Sequence, residues 1–163
     1  MSEITQALKI PESPQHTPLQ LITSSLEHKK LLLLLDNCEH LKASAASLVS
    51  ELLRKTEFVK VLATSREPLG ITGEFLFRVP SLGVPSEHGE TPLSLMGYES
   101  VQLFLERGQA VSRELVLTQE NAAAVSRICR KLDGIPFALE LAAARARALS
   151  VEQIADRIDD RFR

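Results

Sequence analysis

Glycine is scarce in this chain, and its scarcity excludes one common kind of site. Only 7 of the 163 residues are glycine, the first is Gly70, and no glycine is followed by lysine. A phosphate-binding loop of the form Gly-x-x-x-x-Gly-Lys-Ser/Thr needs glycines for its tight backbone and a lysine for the phosphates. The chain therefore contains no such loop, and we expect its own affinity for a nucleoside triphosphate to be weak.

Cysteines and long apolar runs are also rare. Cys38 and Cys129 are far apart with no repeated spacing, which predicts neither a disulfide framework nor a zinc ribbon. The longest apolar run, residues 31–35, is too short to span a bilayer, and no signal-peptide pattern opens the chain. These absences favour reduced thiols, a cytoplasmic location and no membrane contact.

No strong charge of either sign is present. Lysine and arginine total 19, aspartate and glutamate total 21, and the formal net charge is -2. Residues 1–92 carry 9 basic and 11 acidic side chains and residues 93–163 carry 10 of each, so neither half forms the basic patch typical of nucleic-acid binding. We expect a folded globular protein with no direct nucleic-acid contact.

The first part of the chain alternates strand, helix and strand. Residues 31–35 and 58–63 are apolar runs that predict buried strands, and apolar side chains recur at helical spacing over 41–52. Elements of this length form a right-handed βαβ unit with parallel strands. Because 31–35 is apolar at every position, we expect helices on both faces of the sheet. The functional edge lies at the carboxyl ends of the strands, at Asp36 and 64–66.

Two further elements flank this unit, and a linker follows it. Thr17-Pro18 predicts the start of a helix, and residues 75–79 predict a third short strand that ends at a proline. Residues 81–92 are rich in proline, glycine and serine, which indicates a linker. We therefore expect an α/β core over 1–92 and a helical subdomain over 93–163.

The spacing after the linker is helical throughout. One helix is expected over 97–112, and a second is capped by Thr118 and closed by Gly134 in the left-handed conformation. Pro136 starts a third helix. A fourth, over 150–162, opens with a serine and a glutamine at capping-box spacing and carries Phe162 on its apolar side.

The strand ends combine an acid with a guanidinium. Asp36 can hold Mg²⁺ through water, and Arg66 can meet the charge on a terminal phosphate. Simpler roles stay open for the same residues. Asp36 or Asn37 can cap the next helix, and Arg66 can pair with Glu67 or Glu39 at the surface.

Cys38 and His40, close to Asp36, support neither a metal cluster nor a catalytic cysteine. Alternate residues at a strand-to-helix junction point in diverging directions, and no matching pair of ligands occurs elsewhere in the sequence. No glycine-bearing oxyanion loop accompanies them. We expect Cys38 to be a buried thiol.

Six strings spread over nearly the whole chain carry a family resemblance. They are LLLLDNCEHL at 32–41, ATSREPLG at 63–70, SVQLF at 100–104, ICRKLDGIPFALELAA at 128–143, LS at 149–150 and DDRF at 159–162. In this order they resemble the NB-ARC-like STAND ATPases, which include modules of LuxR-type and antibiotic-regulatory transcription factors. The resemblance implies a partial P-loop NTPase parallel sheet with flanking helices, followed by a small all-α helical lid.

The resemblance also implies roles for the residues at the strand ends. Asp36 matches the Walker B acid, which holds Mg²⁺ through water, and Asn37 follows it. Arg66 matches the sensor-one arginine near the γ-phosphate, with Ser65 beside it. These four residues are the expected nucleotide site of the sheet, and Asp36 and Arg66 are its expected catalytic residues.

Gly134 and Pro136 match the family's Gly-x-Pro element, whose proline lies against the adenine. A proline without an N–H offers a rigid apolar surface, and a glycine permits the sharp turn before it. Without the resemblance, the same residues indicate an ordinary corner between two helices.

The missing phosphate loop limits what the chain is expected to do alone. The resemblance implies ATP or ADP with Mg²⁺ as cofactors and ATP hydrolysis by the intact module, whereas this chain is expected to be inactive by itself. A sheet that lacks the loop strand has exposed edges, so we expect a partner: the missing P-loop segment, a full-length relative or another copy. The expected function is a nucleotide-dependent switch in a transcriptional regulator. The alternative is a non-catalytic interaction or oligomerisation module that binds no nucleotide.

Overall fold

The computed structural model describes residues 2–11, 13–86 and 91–161, which form a mixed α/β protein. Its helices and strands are α1 Ser2–Ala7, α2 Pro18–Leu26, β1 Leu31–Leu35, α3 Lys42–Lys55, β2 Val59–Ala63, α4 Pro92–Leu95, α5 Glu99–Val111, α6 Ala122–Lys131, α7 Pro136–Ala143 and α8 Val151–Arg161. The chain divides into two compact units, Met1–Phe77 and Arg78–Arg163. In the part of the chain that the structure describes, no helix combines the length and the apolar character that crossing a bilayer requires.

The first unit is built on the expected βαβ arrangement. β1 and β2 are parallel neighbours, with Leu31 opposite Val59 and Leu35 opposite Ala63. Before them, α2 begins as the sequence predicts. The Thr17 side chain accepts a hydrogen bond from the Gln20 backbone N–H as part of a capping box. The carboxyl ends of both strands therefore lie at one edge of the sheet.

Among the residues that the structure describes, helices cover one face of this two-stranded sheet. Leu33 and Val59 are buried in a core with side chains of α2 and α3. On the other face, Leu32 is 61% exposed, Leu34 62% and Leu62 53%. The expectation of helices on both faces is therefore wrong within the described residues. The apolar sequence of β1 is suited to burial on both faces, and the described helices bury one of them.

The expected third strand is also wrong, because residues 75–79 form no strand in the structure. Phe75, Leu76, Phe77 and Val79 are all strongly exposed. A strand needs a neighbouring backbone to share its hydrogen bonds, and the sheet of the described residues contains β1 and β2 alone. The apolar spacing is therefore that of a strand without a partner.

The second unit is helical and contains the predicted helices, but α6 begins at Ala122 with Asn121 as its N-cap, so the prediction that Thr118 caps it is wrong. Val101, Phe104, Val125, Ile128 and Leu139 have no exposed surface and form the centre of its core. These side chains come from α5, α6 and α7, and α8 packs on the same core. The apolar stripes that the sequence shows after residue 97 therefore face one another.

The last helix has the start that its sequence predicts. The Ser150 backbone N–H donates to Gln153 Oε1 at 3.0 Å, and the Gln153 backbone N–H donates to Ser150 Oγ at 3.3 Å. These two bonds form a capping box, which satisfies amides that have no partner inside the helix. Phe162 lies outside the described residues.

The segment expected to be a linker is bound to the helical unit over residues 81–86, while 87–90 lie outside the described residues. Four hydrogen bonds hold it: Leu82 N donates to Gly134 O at 3.0 Å, Ser100 N and Oγ donate to Gly83 O at 3.4 and 2.6 Å, and Arg130 Nη1 donates to Ser86 O at 2.7 Å. The boundary between the compact units falls after Phe77, whereas the change of composition in the sequence falls near residue 92.

Candidate functional site

Thr64 joins the carboxyl ends of β1 and β2. Its Oγ1 donates to Asp36 Oδ1 at 2.5 Å and accepts from the Asn37 backbone N–H at 2.9 Å. Its own N–H donates to Leu35 O, and its carbonyl accepts from Cys38 N–H, both at 2.9 Å. Four hydrogen bonds therefore hold the backbone that carries Asp36 and fix one oxygen of its carboxylate.

Asn37 turns the chain away from the sheet after β1. Its φ of 62° lies in the left-handed region, which asparagine tolerates better than most residues. Its side chain makes no capping hydrogen bond to the 3-10 turn Cys38–Leu41 that follows. Since Asp36 bonds to Thr64, neither of these two side chains has the helix-capping role that the sequence left open.

Arg66 lies just beyond the end of β2 and pairs with Glu39, as one interpretation of the sequence allowed. Its Nε is 3.2 Å from Glu39 Oε1, and the arginine side chain is 87% exposed while the glutamate is 15% exposed. A pair this open to solvent contributes at most about 1 kcal/mol. The guanidinium has five N–H donors, so the pair with Glu39 leaves donors for a second anion.

Ser65 and Glu67 make local contacts at the same edge of the sheet. Ser65 Oγ accepts from the Glu67 backbone N–H at 3.3 Å. Glu67 also pairs with Lys42 Nζ at 3.1 Å, and both side chains are largely exposed. The four residues expected to form the nucleotide site of the sheet are thus brought to one edge, at the ends of neighbouring strands.

Cys38 is a buried thiol, as the sequence predicts. Its burial raises the pKa of the thiol, and the neighbouring carboxylates of Glu39 and Asp36 raise it further. A raised pKa keeps sulfur protonated and therefore weakly nucleophilic. No cluster of three histidine, cysteine or acidic ligands lies among the described residues.

The strand ends fit one part of a magnesium–phosphate site and lack another. Asp36 and Arg66 are exposed and follow the carboxyl ends of neighbouring strands, which suits a cation on one side and a phosphate on the other. The backbone cradle for the remaining phosphates is not part of this chain, because no glycine precedes Gly70. The chain therefore fits the part of the site that an acid and an arginine form, and it lacks the phosphate loop.

Gly134 and Pro136 belong to the helical unit, where they form the corner between α6 and α7. Gly134 has a φ of 64°, and its N–H donates to Cys129 O at 3.2 Å, which closes α6. Pro136 is the first residue of α7. Ile135 beside it is 48% exposed, so the corner presents an apolar surface to solvent.

Two contacts were missed by reasoning from the sequence. Thr64 was not distinguished from its neighbours, although the register of two parallel strands places the residue after β2 beside the residue after β1. The bond between Leu82 and Gly134 had no signal, because it joins a segment without regular structure to a helix corner.

Proteins similar to this chain occur in mycobacteria. Over 158 residues, 97% of this chain, it is 41% identical to proteins of Mycobacterium tuberculosis and Mycobacterium bovis named "Putative HTH-type transcriptional regulator". Over 157 residues it is 36% identical to a Mycobacterium tuberculosis protein named "Uncharacterized protein". No protein-family model and no solved structure matches the chain. The chain spans 17% of the length of the first relatives and 37% of the length of the other.

Proposed function

We propose that this chain is part of the ATP-binding module of a nucleotide-dependent switch of the STAND type, acting in a transcriptional regulator. It contributes the acid and arginine at the strand ends and the helical lid. A phosphate-binding loop comes from another segment or another chain. The names of the mycobacterial relatives support the regulatory part of this proposal.

One observation carries the nucleotide part: Asp36 is held at the end of β1 by Thr64, and Arg66 follows Thr64 by two residues, beyond the end of the neighbouring strand β2. The hydrogen bond from Thr64 occupies one carboxylate oxygen of Asp36 and leaves the other for a water on Mg²⁺. Bound Mg²⁺ neutralises phosphate charge. The guanidinium of Arg66 meets the terminal phosphate in exchange for its weak surface pair with Glu39.

The helical unit contributes the base-binding surface in this proposal. The corner at Ile135 and Pro136 is apolar and open to solvent, which suits contact with the flat face of a purine. Exchange or hydrolysis of the bound nucleotide then changes the state of the module, which is the switch.

Thermal unfolding of the whole chain with millimolar MgATP tests the proposal. A ligand that binds the folded state alone raises the melting temperature, so we expect a small rise that requires Mg²⁺. Asp36→Asn and Arg66→Ala abolish the rise. Glu57→Gln is the matched control, because Glu57 is an exposed acid at the opposite end of β2. The absence of any rise in the unaltered chain argues against nucleotide binding by this chain.

The second candidate is a non-catalytic interaction module, and the bare sheet face favours it. Leu32, Leu34 and Leu62 form an exposed apolar face on two neighbouring strands, a feature of surfaces that bind other proteins. Sedimentation velocity tests it. Self-association that Leu34→Ser and Leu62→Ser abolish supports this candidate, with Leu93→Ser, an exposed leucine of α4, as the control.

A further inference from the structure

The helical unit contains an open groove between α7 and α8, and most of its lining is apolar. Its volume is about 390 Å³, within the range of about 300–1,000 Å³ typical of small-molecule sites. Ala138 and Leu141 line it from α7, and Leu149 and Ile158 line it from the residues before and within α8. Leu141 is 55% exposed, so a large apolar side chain borders the groove without full cover.

Two arginines line the same groove. Arg145 follows α7 and Arg157 lies on α8, and neither forms an ion pair with any residue that the structure describes. By contrast, Arg107 and Arg127 of the same unit each pair with a carboxylate. An arginine without a carboxylate partner offers its full set of donors to an anion.

One acid, Asp160, also lines the groove. Two guanidinium groups and one carboxylate leave an excess of one positive charge. That excess matches a ligand with a single negative charge. The small side chain of Ala138 leaves space for an alkyl group beside Leu149 and Ile158. The charge and the apolar lining therefore suit one molecule that has both a negative charge and an alkyl group.

We propose that this groove binds a monoanionic amphiphile, a molecule with a short alkyl chain and a carboxylate or a phosphodiester as its head. The alkyl chain lies along Leu141, Leu149 and Ile158, where it removes apolar surface from water. The head group lies between Arg145 and Arg157. The site is independent of the strand-end site, since all its residues belong to the helical unit.

Titration calorimetry of the whole chain with decanoate, below its micelle concentration, tests the proposal. We expect saturable binding that Arg145→Ala or Arg157→Ala each weakens about tenfold. Decanol and decyltrimethylammonium bind more weakly because they lack the negative charge. Vesicles of phosphatidylglycerol distinguish the source of the ligand: a free amphiphile competes in solution, whereas binding to vesicles alone assigns the groove to a lipid surface and overturns the proposal.

Variants in the groove locate the site. Ala138→Trp fills the groove and abolishes decanoate binding, and Leu141→Asp, at an exposed position that the fold tolerates, does the same through charge repulsion. Leu34→Ser is the control, because it removes apolar surface from the sheet face of the other unit. Besides binding to vesicles alone, three results overturn the proposal: equal binding of the cationic amphiphile, binding that Leu141→Asp leaves unchanged, or binding that Leu34→Ser removes.

Discussion

Leu82 and Gly134 contact each other through their backbones: the Leu82 N–H donates to the Gly134 carbonyl at 3.0 Å. The Leu82 carbonyl oxygen would lie 2.1 Å from a Cβ at position 134, which is far inside van der Waals contact. Gly134 is therefore required twice, by its left-handed φ of 64° and by this close approach. The same contact fixes the segment 81–86 on the helical unit.

Gly134→Ala is expected to destabilise the helical unit by about 3 kcal/mol or more, because backbone strain and a clash add. Gly70→Ala is the matched control: its φ is also positive, at 77°, but nothing lies within 4 Å of its Cβ. That variant should lose about 1–2 kcal/mol. Gly70 belongs to the first unit and Gly134 to the helical unit, so urea unfolding is followed by NMR of amide resonances from each unit. Equal losses in the two variants contradict the role of Leu82.

Thr64→Val should destabilise the first unit by about 1–2 kcal/mol, because the Asn37 N–H and Asp36 Oδ1 both lose a partner. Thr64→Ser retains the hydroxyl and should keep most of the stability. Amide exchange of Asn37 and Cys38 measures the effect where it occurs. Faster exchange in the serine variant than in the valine variant contradicts the assignment.

The two cysteines should react with thiol reagents only after their own units open. Burial raises the pKa of Cys129 to about 11, although a hydrogen bond with Ser100 opposes this rise, so its thiolate is scarce at neutral pH. Cys38 is buried in the other unit. We expect Cys38 and Cys129 to become labelled at different urea concentrations, measured by mass spectrometry of peptides. Rapid labelling of Cys129 in the absence of urea contradicts its burial.

Glu74 should make the loop 69–74 sensitive to acid. Hydrogen bonds from the Leu69 and Gly70 N–H groups, both 2.8 Å, hold the pKa of its carboxyl below the ordinary value. A carboxyl with a lowered folded-state pKa stabilises the fold above its unfolded pKa, about 4.3, and loses that contribution as the pH falls through the folded value. The Gly70 amide resonance should therefore titrate below that pH.

Glu74→Gln removes this titration from the Gly70 resonance, while Glu57→Gln leaves it in place. The glutamine variant should also show more exchange of the Gly70 amide at neutral pH, because a neutral side chain is a weaker acceptor than a carboxylate. A Gly70 resonance that titrates at the ordinary glutamate pKa contradicts the geometry of this loop.

Local patterns predicted most of the elements, because each depends on residues close in sequence. The helix start at Thr17-Pro18, the capping box at Ser150 and the apolar spacing of α5 and α6 are of this kind. The failures at 75–79 and at the outer sheet face have one cause. A strand and an apolar face are completed by partners that are distant in sequence, and sequence spacing does not say whether those partners are present.

The candidate site was predictable to the same extent. The position of Asp36 and Arg66 at one edge follows from two parallel strands. The role of Thr64 does not follow from the parallel strands, because it depends on hydrogen bonds of its side chain to residues after the neighbouring strand. The pair of Arg66 with Glu39 was one of two surface pairs that charge alone allowed.

The strand-end site is tested most directly by NMR with MnATP, since bound Mn²⁺ broadens resonances close to it. Residues Asn37, Thr64 and Arg66 should lose amide intensity in the unaltered chain. Glu57, which precedes the amino-terminal end of β2, should keep its intensity. Asp36→Asn should restore the lost signals. Broadening that is absent at the strand ends, or that persists unchanged in Asp36→Asn, contradicts a nucleotide-linked metal at this acid.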